Sequence, residues 1–88
     1  MARAEVEYST RAVDQLEDLE TEDAERIVAK LDNVRWNVEH HLRGRQMTGE
    51  PHYSLRVGDQ RVIIDWQRNK TSEVLFVQRV GHRSNVYD

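Results

Sequence analysis

The stretch Tyr53-Ser54-Leu55-Arg56-Val57-Gly58-Asp59-Gln60-Arg61-Val62-Ile63-Ile64-Asp65-Trp66-Gln67 decides the fold class. Tyr53, Leu55 and Val57 alternate with Ser54 and Arg56, the two-residue period of a half-buried strand. Gly58-Asp59 reverses the chain, and Arg61 to Gln67 returns as a second strand, so the segment is a β-hairpin. Arg68-Asn69-Lys70-Thr71 makes the next polar turn. Glu73 to Val80 then supplies another strand, whose run Val74-Leu75-Phe76-Val77 predicts a central position covered on both faces. Two hairpins share a strand, and the product is a three-stranded antiparallel meander.

Upstream of the meander, residues 44 to 52 carry two of the four glycines and the only proline, and they read as a helix-to-sheet connection. Before it, Ala24, Ile27, Val28, Leu31, Val34, Val38 and Leu42 recur at three- and four-residue steps, which predicts one long helix from Thr21 to Arg43. Thr21 is its expected cap, Glu22 and Asp23 place negative charge at the positive end of the helix dipole, and Gly44 is a natural stop. An earlier helix, capped by Ser9 or Thr10, shows the apolar stripe Ala12, Val13, Leu16, Leu19. Ala4 to Tyr8 alternates as a short strand. The predicted order is an N-terminal strand, a two-helix hairpin and an antiparallel meander sheet of three to four strands, in the α+β class.

A chain of 88 residues leaves room for one small domain spanning 1–88, which buries only about 60% of its unfolded surface. Cysteine is absent, which excludes a disulfide framework, a thiolate metal site and a thiol nucleophile. No apolar run reaches the roughly 18 residues of a membrane span and the opening residues lack a signal-peptide core, so the expected location is cytoplasmic. The net charge of −3 conceals an asymmetry. Residues 1 to 50 hold seven basic and twelve acidic side chains, and residues 51 to 88 hold six and four. Eleven of the 13 basic residues are arginine, the side chain that grips phosphate bidentately and stays charged. Many carboxylates with few lysines also suit a cytoplasm of very high salt.

Arg56, Arg61, Arg79 and Arg83 all fall in the sheet half or its tail, with Arg56 and Arg61 flanking the Gly58-Asp59 turn. Ser54 and Arg56 project together, away from Tyr53, Leu55 and Val57, which predicts a polar, cationic face. Alone, such a face reads first as the ordinary solvated side of a sheet. His52 and His82 border these segments; each is a candidate proton donor or an ordinary surface residue. His40 and His41 are neighbours on a helix and point about 100° apart, which disfavours joint metal ligation. Trp36 lies off the apolar stripe and is either an exposed anchor or a half-packed residue, while Asp65 and Trp66 read as ordinary strand residues.

The tail, Val80-Gly81-His82-Arg83-Ser84-Asn85-Val86-Tyr87-Asp88, follows Leu55-Arg56-Val57-Gly58-Asp59 and Arg61-Val62. In this order, and in so short a chain, these segments resemble the RelE/ParE superfamily of toxins from type II toxin–antitoxin operons. The resemblance covers essentially the whole chain. It implies a ribosome-dependent mRNA endonuclease of the RelE branch, acting in the ribosomal A site without metal or cofactor and held in check by a cognate antitoxin. It also implies roles: Arg56 and Arg61 hold the phosphate, Arg83 supports the transition state, and Tyr87 is the tyrosine near the C-terminus, acting as base or as a stacking platform. Arg61, Arg83 and Tyr87 are thus the expected catalytic set, with Ser54, Arg56 and His82 contacting substrate. Ser54 departs from the pattern, because the RelE branch places a lysine there. Two other readings fit the superfamily: a ParE-type gyrase inhibitor, and an inactive homologue serving as antitoxin ligand and operon co-repressor.

Overall fold

A computed structural model of the chain describes residues 3–49, 51–69 and 71–82. In chain order the described elements are β1 (Glu5–Tyr8), α1 (Thr10–Asp18), α2 (Thr21–Val34), α3 (Val38–Leu42), β2 (Tyr53–Val57), β3 (Gln60–Arg68) and β4 (Glu73–His82). The strands make one mixed sheet in the order β1-β4-β3-β2. The meander is antiparallel as expected, and β1 pairs parallel to β4 with Val6 opposite Leu75. Strand β4 is therefore central. Its second face is only half covered, since Leu75 and Val77 are buried while Val74 and Phe76 are half-buried.

The helices cover one face of the sheet. Ile27, Leu31 and Val34 of α2 and Val38 and Leu42 of α3 are buried against Leu55, Val57, Val62, Ile64, Leu75, Val77 and Val80 in one apolar cluster. This burial is what makes the short helices stable, because an isolated helix of such length is marginal in water.

Two helix expectations are corrected. Thr21 is the first helical residue and not the cap, a position held by Glu20 without a side-chain hydrogen bond. The single helix from Thr21 to Arg43 is broken at residues 35–37. Unbroken, it would run roughly 34 Å at about 1.5 Å per residue. Instead Trp36 and Asn37 donate to carbonyls three residues back (Asn33 and Val34), and Asn37 adopts φ −152°, outside the helical region. The Arg35 carbonyl accepts from the Ala4 amide at 2.9 Å, and Arg35 Nε donates back to the Ala4 carbonyl at 3.0 Å. The break keeps both Val34 and Val38 on the core, so the periodicity of the sequence survives it.

The β2–β3 turn has Val57 paired with Gln60, with Gly58 at φ +60° as the first central residue. Only glycine takes that conformation cheaply. At the other end Tyr53 packs edge-on against Trp66, Arg68 lies over the indole 3.9 Å from its centre, and Trp66 Nε1 donates to Glu73 at 2.8 Å. Trp66 is thus part of a small clasp between β2, β3 and β4.

Candidate functional site

Register places the cationic residues. Arg56 on β2 is directly opposite Arg61 on β3, and Arg61 is opposite Gly81 on β4. The next row is Ser54, Ile63 and Arg79. Side chains directly opposite on one face stand about 5 Å apart at Cβ, and like charges there destabilise a sheet. Two arginines paired across neighbouring strands, with Gly81 and so no side chain opposite on the third, form an arrangement that a phosphate would relieve.

Arg79 reaches this face because of a β-bulge. From Leu75, strict alternation would turn Arg79 toward the helices and Val80 outward. The register shifts between Ile63 and Ile64, which face Arg79 and Val77, leaving Gln78 as the extra residue. The phase of β4 inverts there, so Val80 is buried and Arg79 shares the row of Ser54. Helix α1 holds the bulge. Ser9 Oγ donates to the Gln78 carbonyl at 2.7 Å and accepts from the Ala12 amide at 2.9 Å, and the Val80 amide donates to Gln15 Oε1 at 2.6 Å. Of the two proposed caps for α1, Ser9 is the one used.

At the tip of the sheet Arg56, Asp59, Gln60, Arg61 and His82 line a cavity of about 190 Å³. Arg56 Nε donates to the Gly58 carbonyl at 3.1 Å, which bends its side chain toward the turn. Gln60 buries its Oε1 without a hydrogen-bond partner at the same place. Of the residues expected from sequence, Arg56, Arg61 and His82 therefore meet around one cavity, and Ser54 sits one row away. Arg83 and Tyr87 lie outside the described residues. His52 stands apart from the tip: Gln78 Nε2 approaches its Nε2 at 3.0 Å, and an amide nitrogen can only donate, so that ring nitrogen accepts.

The face is less uniformly polar than expected, since Ile63 is fully buried there outside the main apolar cluster. It is also graded in charge. Glu5 and Glu7 of β1 pair with Val74 and Phe76, and Asp65 with Phe76, so acidic groups occupy the far end from the arginines. On this face of the sheet an anion meets its favourable field at the tip.

On the opposite side, α1 and α2 leave an apolar groove of about 370 Å³ lined by Tyr8, Val13, Leu16, Glu17, Ala24 and Val28. Val13 and Val28 are 42% and 48% exposed, unusual for aliphatic residues on an amphipathic helix pair. The Tyr8 hydroxyl is pushed above its ordinary pKa by partial burial and then by the charge of Asp32. Trp36 is 53% exposed, with Arg3 5.5 Å from the centre of its ring. Among the described residues no helix is long and apolar enough to cross a membrane.

Sequence and fold comparisons agree with this architecture. Residues 6–87 match the family model of the ParE toxin of type II toxin–antitoxin systems. A mutant of the Escherichia coli toxin RelE in the free state superposes with a TM-score of 0.73 at 22% identity, over 96% of this chain and 88% of that one. The YoeB/ParE toxin from Agrobacterium tumefaciens gives 0.73 at 14% identity, over 90% and 98%. The RelB–RelE antitoxin–toxin complex from Methanococcus jannaschii gives 0.68 at 21%, over 93% and 95%. Among curated proteins none matches the chain in sequence. At these identities the solved structures establish the fold, and the family model, matched over nearly the whole length, establishes the kinship: the chain belongs to the ParE toxin family of type II toxin–antitoxin systems, within the RelE/ParE superfamily.

Proposed function

We propose that this toxin is a metal-independent endoribonuclease that cuts mRNA in the ribosomal A site and so arrests translation in the cytoplasm. The observation that carries the reading is the cross-strand pairing of Arg56 with Arg61 around the tip cavity. Cleavage by this route needs a base for the 2′-hydroxyl, cations for the charge that builds on the phosphorane, and a donor for the departing 5′-oxygen. The 2′-oxygen attacks the adjacent phosphorus, the bond to the 5′-oxygen breaks, and the products are a 2′,3′-cyclic phosphate and a 5′-hydroxyl. Arg56 and Arg61 hold the phosphate, Arg83 adds charge in the transition state, and Tyr87 takes the proton. A phenol ordinarily ionises near pH 10, so that last role requires guanidinium neighbours to favour the phenolate. On this reading His82, exposed and lining the same cavity as Arg61, is the candidate donor that protonates the leaving oxygen. Ser54 contacts the substrate from the next row with a hydroxyl where the RelE branch has a cation.

The partner that restrains the chain is a cognate antitoxin. The apolar groove between α1 and α2 and the exposed edge of β1 suit an amphipathic helix followed by an extended segment. Trp36 is an exposed anchor for the same partner. Controlled expression with end-mapping of transcripts tests the enzyme reading. The native chain gives breaks inside translated codons, and Arg61→Ala, Arg83→Ala and Tyr87→Phe each abolish them. Persistent cleavage by all three variants overturns it.

A second reading has an observation of its own, the match to the ParE family model. On that reading the chain poisons DNA gyrase and leaves RNA intact. A supercoiling assay separates the two, since gyrase inhibition that survives Arg61→Ala with no new RNA ends favours the ParE-type activity. The acidic, lysine-poor composition further suits a high-salt cytoplasm. A melting temperature that rises into molar KCl is expected, and salt-indifferent stability counts against it.

A further inference from the structure

A larger cavity, about 530 Å³, opens on the helix side of the β2 edge. Its lining is drawn from separate elements: Lys30 of α2, His40 and His41 of α3, Arg45 of the following connection, and Arg56 of β2, over a floor of Leu55 and Gly58. Among the described residues no carboxylate lines it. The ion pairs among the described residues go to Arg26, Arg35 and Arg43, and none reaches Lys30, Arg45 or Arg56. In a chain with 16 acidic residues against 13 basic ones, a cleft that collects up to five cationic groups and excludes acids departs from what scattered surface charge would give.

Arg56 lines both this cleft and the tip cavity that also holds Arg61 and His82. Arg56 therefore joins the Arg56–Arg61 pair and the cleft that reaches Lys30 into one track of cationic groups. Gln46 bridges Tyr53 and the Arg45 carbonyl accepts from the Ser54 amide at 2.9 Å, so among the described residues the β2 edge is covered at its start, and no strand pairs with it from Leu55 to Val57, where the path runs. An elongated anion with charges at regular intervals fits such a track, and a compact one fills a single end.

We propose that the cleft holds a flanking backbone phosphate of the same single-stranded RNA whose neighbouring phosphate lies between Arg56 and Arg61, so that the strand wraps the β2 edge. The inference rests on the reading of the tip as an RNA site. The imidazoles add a switch to it. In the free protein His41 is held below its ordinary pKa by partial burial first, then by Lys30 and His40. The groups facing it across the cleft, Lys30, Arg45 and Arg56, are all cationic, with His40 edge-on at 5.3 Å. A phosphate reverses this field, so the strand binds with uptake of protons.

The probe is a fluorescently labelled 2′-O-methyl RNA, which cannot be cleaved, titrated with the purified chain across about 50 to 200 mM salt. The double variant K30Q/R45Q is expected to weaken binding roughly tenfold at low salt and to flatten the dependence of log K on log salt by about 0.7 for each phosphate that it no longer neutralises. The charge-keeping variant K30R/R45K restores the slope. A dinucleotide, with one phosphodiester, binds the native chain and K30Q/R45Q alike because its phosphate occupies the tip. The His41 imidazole, followed by NMR, moves to higher pKa on addition of the long RNA and not of the dinucleotide. Equal affinity and slope for native chain and K30Q/R45Q overturn the inference while leaving the nuclease reading untouched. Loss of binding in K30Q/R45Q with none in Arg61→Gln keeps the cleft and overturns the tip. No binding of the long RNA by the native chain overturns both.

Discussion

Replacing Ser9 by alanine removes one oxygen with two structural duties, and the expected loss follows from both. That oxygen caps α1 by accepting the Ala12 amide at 2.9 Å, and loss of such a cap costs about 1 kcal/mol. It also donates at 2.7 Å to the carbonyl of the bulged residue Gln78, and a partly buried carbonyl left without that donor costs about 1 kcal/mol more. The sum, about 2 kcal/mol, is a large share of the roughly 5–15 kcal/mol that holds a small domain together. At about 4–8 °C per kcal/mol the melting temperature falls by roughly 8–16 °C. Urea unfolding at constant m-value is the assay, with Thr10→Ala as the exposed neighbour that changes stability by less than about 0.5 kcal/mol. The same bulge turns Arg79 onto the cationic face, so the loss should appear in amide exchange at Val80, whose own partner is Gln15. If Ser9→Ala costs less than about 0.5 kcal/mol and Val80 stays protected, α1 does not hold the bulge, and the account of Arg79 fails with it.

Further outcomes follow from the same geometry. Arg61→Gln removes one of two like charges directly opposite each other and should raise stability by about 0.2–1 kcal/mol while abolishing toxicity, with a double-mutant cycle to Arg56→Gln locating the coupling; lower stability would show that the pair is not strained. Leu31→Ala empties a fully buried site on α2 and should cost about 2–5 kcal/mol in denaturant titration, and a smaller value would mean that the helix layer collapses onto the gap. Because the His41 pKa is depressed on folding, the unfolded chain takes up its proton first as pH falls. Stability is therefore expected to decline below about pH 6.5, and His41→Gln should remove part of that decline when unfolding is followed from pH 8 to 5. An identical pH profile in the variant would place the titration elsewhere.

Local pattern carried much of this fold. Alternation at Tyr53 to Val57, the Gly58-Asp59 turn and the apolar run of β4 were enough to define an antiparallel meander with a central last strand, because side-chain period and turn chemistry are properties of neighbouring residues. The helix stripe was equally legible, and the break at residues 35–37 was not. Spacing from Val34 to Val38 is the same in one helix or two, and what divides them is a pair of hydrogen bonds between Arg35 and Ala4, 31 residues apart.

The site divides along the same line. Arg56 and Arg61 were readable as neighbours because a two-residue turn joins them. Lys30, His40, His41 and Arg45 gave no sign of forming a cleft, since nothing in their order says which helix face meets the β2 edge. Arg79 marks the limit most sharply. By sequence alone its phase on β4 points to the core, and only the extra residue Gln78, held by Ser9 and Gln15 from a helix some 65 residues away in the chain, turns it outward. Composition and periodicity thus determined the strands, the apolar helix stripes and the outward-facing arginines beside the Gly58-Asp59 turn. Tertiary structure decided which further arginine joins their face, because a strand's phase after a bulge is set by backbone partners that lie far away in the chain.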